Sequence, residues 1–98
     1  MMTLSPDTYL VATSGHLSCE LDADTVILHL DSGLYYGLNE VGTTLWRLLQ
    51  QPRRIDDLCD AIVAEYDVDC ATCQRDVEAV LQRLTQAGLV EVRREAAQ

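Results

Sequence analysis

The segment from residue 34 to residue 46 reads LYYGLNEVGTTLW and joins a strand to a helix through a single capping residue. Its first five positions hold aromatic and aliphatic residues of the types that are enriched in strands. Asn39 is a good helix N-cap, Glu40 suits the positive end of the helix dipole, and apolar residues recur at helical spacing from Val41 onward. Gly42 is costly inside a helix and therefore indicates close packing at that point. The junction predicts a domain that mixes strands and helices.

Two further strands precede this junction. The apolar residues at alternate positions are Leu17, Cys19 and Leu21 in the first strand, and Val26, Leu28 and Leu30 in the second. This period of two is typical of half-buried strands. The apolar positions are therefore expected to face the core, and His29 to lie on the less buried side of its strand. Turns at residues 22–24 and 31–33, the second with Gly33 free to take a positive φ, predict an antiparallel meander with two unpaired edges.

Three helices are predicted after the strands. The first ends near residue 50, before Pro52, and the second begins near Ile55. Asp69 caps a third helix from residue 70 to about residue 87, where Gly88 ends it. The expected fold class is therefore α+β, with a three-stranded antiparallel sheet followed by three helices.

The length of 98 residues corresponds to one domain. We expect this domain to span residues 16–92, with residues 1–15 as an N-terminal arm or extra strand and residues 93–98 as a frayed tail. No apolar run approaches the roughly 20 residues needed to cross a bilayer, and the N-terminus lacks the pattern of a secretory signal. These features predict a cytoplasmic protein that does not enter membranes.

The net charge of −9 disfavours binding to nucleic acid, because a sequence-independent grip on DNA or RNA requires Lys and Arg to neutralise phosphates. The third helix carries Arg75 and Arg83 against Asp76 and Glu78. A transcription regulator of the winged-helix type would need a more basic reader helix. That class is therefore kept as the second interpretation.

Cys70 and Cys73 form the motif that most resembles reactive chemistry, because two thiols at a helix start can share a face near the helix dipole. The βαβ context of a thioredoxin motif is absent, and His16 and His29 lack the spacing of further zinc ligands. Packing is the favoured interpretation, and a thiol redox protein remains a third one. The sequence shows no nucleophile motif and no phosphate-binding glycine loop, so we expect no enzyme activity, no metal and no cofactor.

The ordered set of motifs resembles the PqqD-like proteins, also called RiPP recognition elements, which act on ribosomally made, post-translationally modified peptides. The resemblance covers roughly residues 16–92. At the junction it is carried by Tyr35, Tyr36, Leu38, Asn39, Gly42 and Trp46. Further along it is carried by Asp57-Leu58, residues 65–69, Asp76-Val77, Leu81, Leu84 and residues 87–90.

The resemblance implies a small, non-catalytic domain of winged helix-turn-helix-like form that binds the leader of a precursor peptide. In that family the leader adds as a strand to the third strand of the sheet and lies beside the third helix. The expected peptide-binding residues are Leu34, Tyr35, Tyr36, Gly37, Leu38, Asp76, Val80, Arg83 and Leu84. The short chain is most similar to the leader-binding proteins of lasso-peptide biosynthesis, which implies a separate cysteine protease and a cyclase as partners.

The residues alone leave open which border of the third helix faces the sheet. Gln74, Glu78 and Thr85 occupy the border opposite to Asp76, Val80 and Arg83. Independently of the resemblance, an unpaired strand edge offers backbone donors and acceptors to an added strand. A proline within residues 34–38 should therefore weaken peptide binding where the lost amide faces the peptide.

Overall fold

The computed structural model describes residues 8–94, which form two sheets and three helices. The elements in chain order are β1 (Thr8–Ala12), β2 (His16–Leu21), β3 (Asp24–His29), β4 (Tyr35–Leu38), α1 (Glu40–Leu48), α2 (Ile55–Glu65), α3 (Cys70–Gln86) and β5 (Val90–Arg94). The predicted order of three strands followed by three helices is confirmed, with β2, β3 and β4 as the strands. The fold adds a second sheet made from the two ends of the chain.

The three-stranded sheet has the order β2-β3-β4, and both of its pairings are antiparallel. The second sheet pairs β1 with β5 in antiparallel register, from Thr8 opposite Arg94 to Ala12 opposite Val90. The backbone of Leu10 also bonds to Arg53, which ties β1 to the segment before α2. Within the expected arm, residues 8–12 are thus a strand, and residues 1–7 lie outside the described residues. β5 runs two residues into the segment expected to fray, and residues 95–98 lie outside the described residues.

The core lies where the apolar faces of the three helices meet β1, β3 and the end of β4. Its buried members are Leu10, Ile27, Leu38, Leu45, Trp46, Leu49, Leu58, Ile62, Cys73, Val77, Leu81, Leu84, Leu89 and Val90. Trp46 belongs to this core, and the ring of His16 from β2 meets it edge-on with the ring centroids 4.9 Å apart. α1 therefore lies between the three-stranded sheet and α2.

The strand-to-helix junction is built as the capping residue predicts. The Asn39 side chain accepts a hydrogen bond from the Gly42 N–H at 2.9 Å, which satisfies one of the free donors at the start of α1. A Cβ atom at residue 42 would lie 3.1 Å from the Leu38 Cβ. The close contact that the glycine indicates is therefore with the last residue of β4, and it fixes how β4 and α1 meet.

The strand faces inferred from alternation are wrong. The side of β3 that faces α1 carries Thr25 and Ile27, both buried, whereas Val26 and Leu28 point to the other side. The Thr25 hydroxyl donates to the Thr43 hydroxyl of α1 at 2.9 Å, and Glu20 of β2 accepts from Arg47 of α1. α1 offers polar partners to this side of the sheet, so polar residues of β2 and β3 turn inward and the apolar alternation does not mark the core.

Candidate functional site

β4 is an edge strand whose outer side pairs with no other strand within residues 8–94. The His29 N–H donates to the Leu34 carbonyl at 2.9 Å, and Ile27 lies opposite Tyr36. Because bonded and non-bonded pairs alternate along an antiparallel ladder, Tyr36 and Leu38 direct their backbone groups toward β3. The N–H and C=O groups of Tyr35 and Gly37 therefore point to the open edge, where an added strand could bond to them.

The side chains of β4 alternate between two environments. Leu38 is buried in the core, and Tyr36 is half-buried and packs against it. Tyr35 is 70% exposed on the opposite face, and Leu34, just before the strand, is also exposed. Gly37 has no atom within 4 Å of where a Cβ would stand, so the face of the sheet that carries Tyr35 is open at that position.

A groove of about 320 Å³ lies beside β4, between this strand and the last turns of α3. The lining residues are Tyr36, Arg83, Leu84, Gln86 and Ala87. Tyr36 forms the wall on the strand side, the buried Leu84 ties the groove to the core, and Arg83 places a positive charge at its surface. The groove thus combines an aromatic ring, aliphatic surface, a cation and an amide next to unpaired backbone groups.

The structure distributes the α3 residues expected from sequence over different surroundings. Arg83 and Leu84 line the groove together with Tyr36. Val80 is half-buried and packs against the core, while Asp76 is exposed and does not line this groove. On the opposite border, Gln74 lines a separate cavity with residues of α2, so that border faces α2. The border that carries Arg83 is the one that meets β4.

Gln86 and Ala87 line the groove, and sequence reasoning did not single them out. They lie three and four residues after Arg83, the spacing at which helix residues share a face. Extending the same face to the end of the predicted helix would have found both.

Of the two cysteines near the start of α3, Cys70 is exposed and Cys73 packs into the core. Cys73 is buried, and its Sγ lies 3.7 Å from the Cys59 carbonyl oxygen. Burial, reinforced by the neighbouring Cys73, raises the pKa of the Cys59 thiol to about 12, and burial also raises the pKa of Cys73. Both groups therefore favour the neutral thiol, which is a poor nucleophile and a poor metal ligand. This chemistry disfavours the thiol redox interpretation.

The part of the chain that the structure describes contains no group of three or more His, Cys, Asp or Glu side chains placed to hold a metal ion. None of the helices within residues 8–94 has the length and apolar character needed to span a membrane.

Comparisons with known proteins assign the chain to a family. The sequence model described as "Coenzyme PQQ synthesis protein D (PqqD)" matches residues 24–90. The structure is similar to one titled "TbiB1 in Complex with the TbiA(beta) Leader Peptide", with 36% sequence identity, a TM-score of 0.76 and coverage of 90% of this chain and 99% of that one.

A second structure has the same fold and is titled "Lasso peptide synthetase B1 complexed with the leader peptide". It shares 22% sequence identity, with a TM-score of 0.73 and coverage of 84% of this chain and 96% of that one. No curated protein sequence matches the chain. Because the family match spans more than half of the sequence, the chain belongs to the PqqD family of RiPP recognition elements, which are non-catalytic binding domains.

Proposed function

We propose that this protein binds the leader of a ribosomally made precursor peptide as an added antiparallel strand on β4. The observation that carries the proposal is that the open backbone edge of β4 runs beside the groove lined by Tyr36, Arg83 and Leu84. Backbone hydrogen bonds to Tyr35 and Gly37 would supply affinity, and alternate peptide side chains would enter the groove and supply selectivity. The 36% identical relative is described in complex with a leader peptide, which supports this assignment.

We further propose that the precursor is a lasso peptide and that the bound leader is handed to a cysteine protease and a cyclase. The similarity in fold to a lasso peptide synthetase B1 supports this narrower assignment. A precursor made on ribosomes is met before export, so the proposed place of action is the cytoplasm. The acidic net charge of −9 and the mixed charges of α3 disfavour the winged-helix regulator.

Within this proposal the expected site residues take distinct roles. Tyr35 and Gly37 offer outward backbone groups, whereas Tyr36, Arg83 and Leu84 form the groove. The remaining expected residues act at the margins of the site: Leu34, Leu38, Asp76 and Val80. Leu38 and Val80 pack in the core beside the groove, and Leu34 and Asp76 are exposed, so we propose that only a longer peptide would contact them.

The test is a titration of a fluorescein-labelled leader peptide, for which any short open reading frames next to this gene are screened, with Gly37→Pro as the key variant. Proline removes the outward amide and projects its ring into the space of the added strand, so we expect binding to weaken by about tenfold or more. Gly37→Ala keeps the amide, and its Cβ meets no atom within 4 Å, so it should bind the leader far better than the proline variant.

The matched control lies on the other edge of the sheet. The Leu30 N–H donates to the Gly15 carbonyl at 3.0 Å, and with the β2–β3 register this directs the amide of Ser18 to the open edge of β2. Ser18→Pro therefore removes an equivalent outward amide far from the groove, and we expect leader affinity within about twofold of wild type, a change too small to represent a lost bond. Equal losses in Gly37→Pro and Ser18→Pro would contradict strand addition at β4.

A further inference from the structure

The three-stranded sheet has an apolar face that α1 does not cover. Cross-strand neighbours lie on the same side of a sheet, and the register aligns Leu17 with Leu28 and Leu28 with Tyr35. The next row aligns Cys19 with Val26 and Gly37. We call this surface the outer face and define it by these two rows together with Leu21.

The outer face is exposed to a degree that folding alone does not explain. Leu17 is 61% exposed, Leu21 is 57% exposed and Tyr35 is 70% exposed. Within residues 8–94 the opposite side of the sheet receives α1, through the contacts of Trp46 and Arg47, and no helix lies over the outer face. Contiguous exposed apolar surface on a small protein marks an interaction site.

Leader binding at β4 leaves most of this surface uncovered. Neighbouring strands lie about 4.8 Å apart, so β2 lies roughly 10 Å from β4, and an added strand lies beyond β4 on the far side. Leu17 and Leu21 are therefore out of reach of a peptide in the groove. The peptide would nevertheless continue the outer face, because every second side chain of an added strand points to that side.

Charge restricts what can cover the outer face. Asp22 and Asp24 lie at one end of it, in and beside the β2–β3 turn, and Asp31 lies in the β3–β4 turn at the other end. A second copy of this chain would bring the same carboxylates and a further net charge of −9, and an anionic membrane surface would be repelled in the same way. A partner protein with an apolar centre rimmed by Arg and Lys is complementary to it.

We propose that the outer face docks the enzyme that processes the bound precursor, through an apolar surface of that enzyme with a basic rim. This inference rests on the proposed leader binding at β4, because only an added strand makes the outer face continuous with the substrate. A protein seated there contacts β2, β3 and the outward side chains of the leader together. The enzyme would thus bind the loaded protein more tightly than the empty one.

The test compares two double variants that introduce the same charge. Leu17→Glu/Leu21→Glu alters the outer face, and Val68→Glu/Val92→Glu alters exposed apolar residues elsewhere, which are 38% and 46% exposed. Association of each protein, loaded with leader, is measured against the purified cysteine protease of the proposed function. We expect the outer-face variant to lose about tenfold or more in affinity for the enzyme while leader affinity stays within about twofold. The control variant should resemble wild type in both measurements.

Circular dichroism establishes whether each variant is folded. If Leu17→Glu/Leu21→Glu does not fold, Leu17→Ser/Leu21→Ser is used in its place. Unchanged enzyme affinity in a folded outer-face variant would overturn the proposal. The proposal would also be overturned if wild type formed a dimer in sedimentation experiments and the outer-face variant did not. The same conclusion would follow if wild type bound phosphatidylcholine vesicles and the outer-face variant did not. If wild type fails to bind leader but the outer-face variant still loses the enzyme, the proposed function fails while the docking surface stands.

Discussion

The two edges of the three-stranded sheet differ in what lies beside them. β4 is four residues long and borders the groove of about 320 Å³ against α3. β2 is six residues long, and its inward side chains are fastened to α1 by the Glu20–Arg47 ion pair and the His16–Trp46 ring contact. The longer edge offers more unpaired backbone groups, yet the shorter one has the groove.

The two edges differ in what they can contribute to peptide binding: both offer backbone groups for affinity, but only β4 has a groove beside it that can select side chains. Backbone groups at a strand edge bond to any extended chain, and proteins usually protect such edges with charged side chains. Glu20 within β2 and Asp22 and Asp24 at its turn place negative charge along that edge. β4 carries no charged side chain, and the groove beside it would, in the proposed function, accept alternate side chains of the bound peptide. Under the proposed function, strand addition would therefore be directed to β4 by its neighbours more than by its own length.

The largest effect should come from filling the groove. Ala87→Trp places an indole among Tyr36, Arg83 and Gln86, and we expect leader affinity to fall by about thirtyfold or more because the peptide side chains lose their space. Ala23→Trp fills a separate cavity of about 210 Å³ near the β2–β3 turn and is the matched control. Fluorescence anisotropy with labelled leader measures both. Retained affinity in folded Ala87→Trp would remove the groove from the site.

The order of elements was predictable because local signals agree with the fold. Asn39 and Asp69 cap α1 and α3 through side-chain bonds of 2.9 Å to Gly42 and 2.8 Å to Thr72, as their residue types indicate. Gly33 takes a positive φ of 72° in the predicted turn. The pairing of β1 with β5 was not predictable, since it joins segments at opposite ends of the chain that carry no local signal for each other.

The groove was only partly predictable. Arg83 and Leu84 are consecutive residues of α3, and only the tertiary packing shows which border of the helix meets Tyr36. The outer face was misjudged because alternation identifies two faces of a strand without saying which one a helix will cover. Thr25 is buried because Thr43 of α1 satisfies its hydroxyl, a partner that lies 18 residues away in sequence.

A smaller effect is expected from substituting Gly37 or Gly42, the two glycines on either side of the junction at Leu38. Gly42→Ala places a Cβ 3.1 Å from the Leu38 Cβ, which is held by the backbone of β4. We expect this overpacking to outweigh the roughly 0.5–1 kcal/mol that alanine gains over glycine in a helix and to lower the free energy of unfolding by about 1 kcal/mol net. Leader affinity should fall by a few-fold as the end of β4 shifts. Gly37→Ala has open space and should leave the free energy of unfolding nearly unchanged. Urea titration compares the two, and equal stabilities would show that the junction can adjust.

The smallest effect concerns the ion pair between Glu20 of β2 and Arg47 of α1. The hydrogen bond from Arg47 holds the pKa of Glu20 below its ordinary value of 4.5. A carboxyl whose pKa is lowered on folding stabilises the folded state above its unfolded-state pKa, and this contribution disappears as the pH falls through the lowered value. Wild type should therefore be slightly more stable than Glu20→Gln at pH 7, and the difference should shrink as the pH falls below 4.5 and vanish below the lowered pKa of Glu20. Both partners are exposed, so the effect is small.

Urea titrations at several pH values measure the difference in the free energy of unfolding, and leader affinity at pH 7 should be the same for both proteins. A loss of leader affinity in Glu20→Gln would instead mean that the two edges are coupled through β3, because β2 itself does not border the groove.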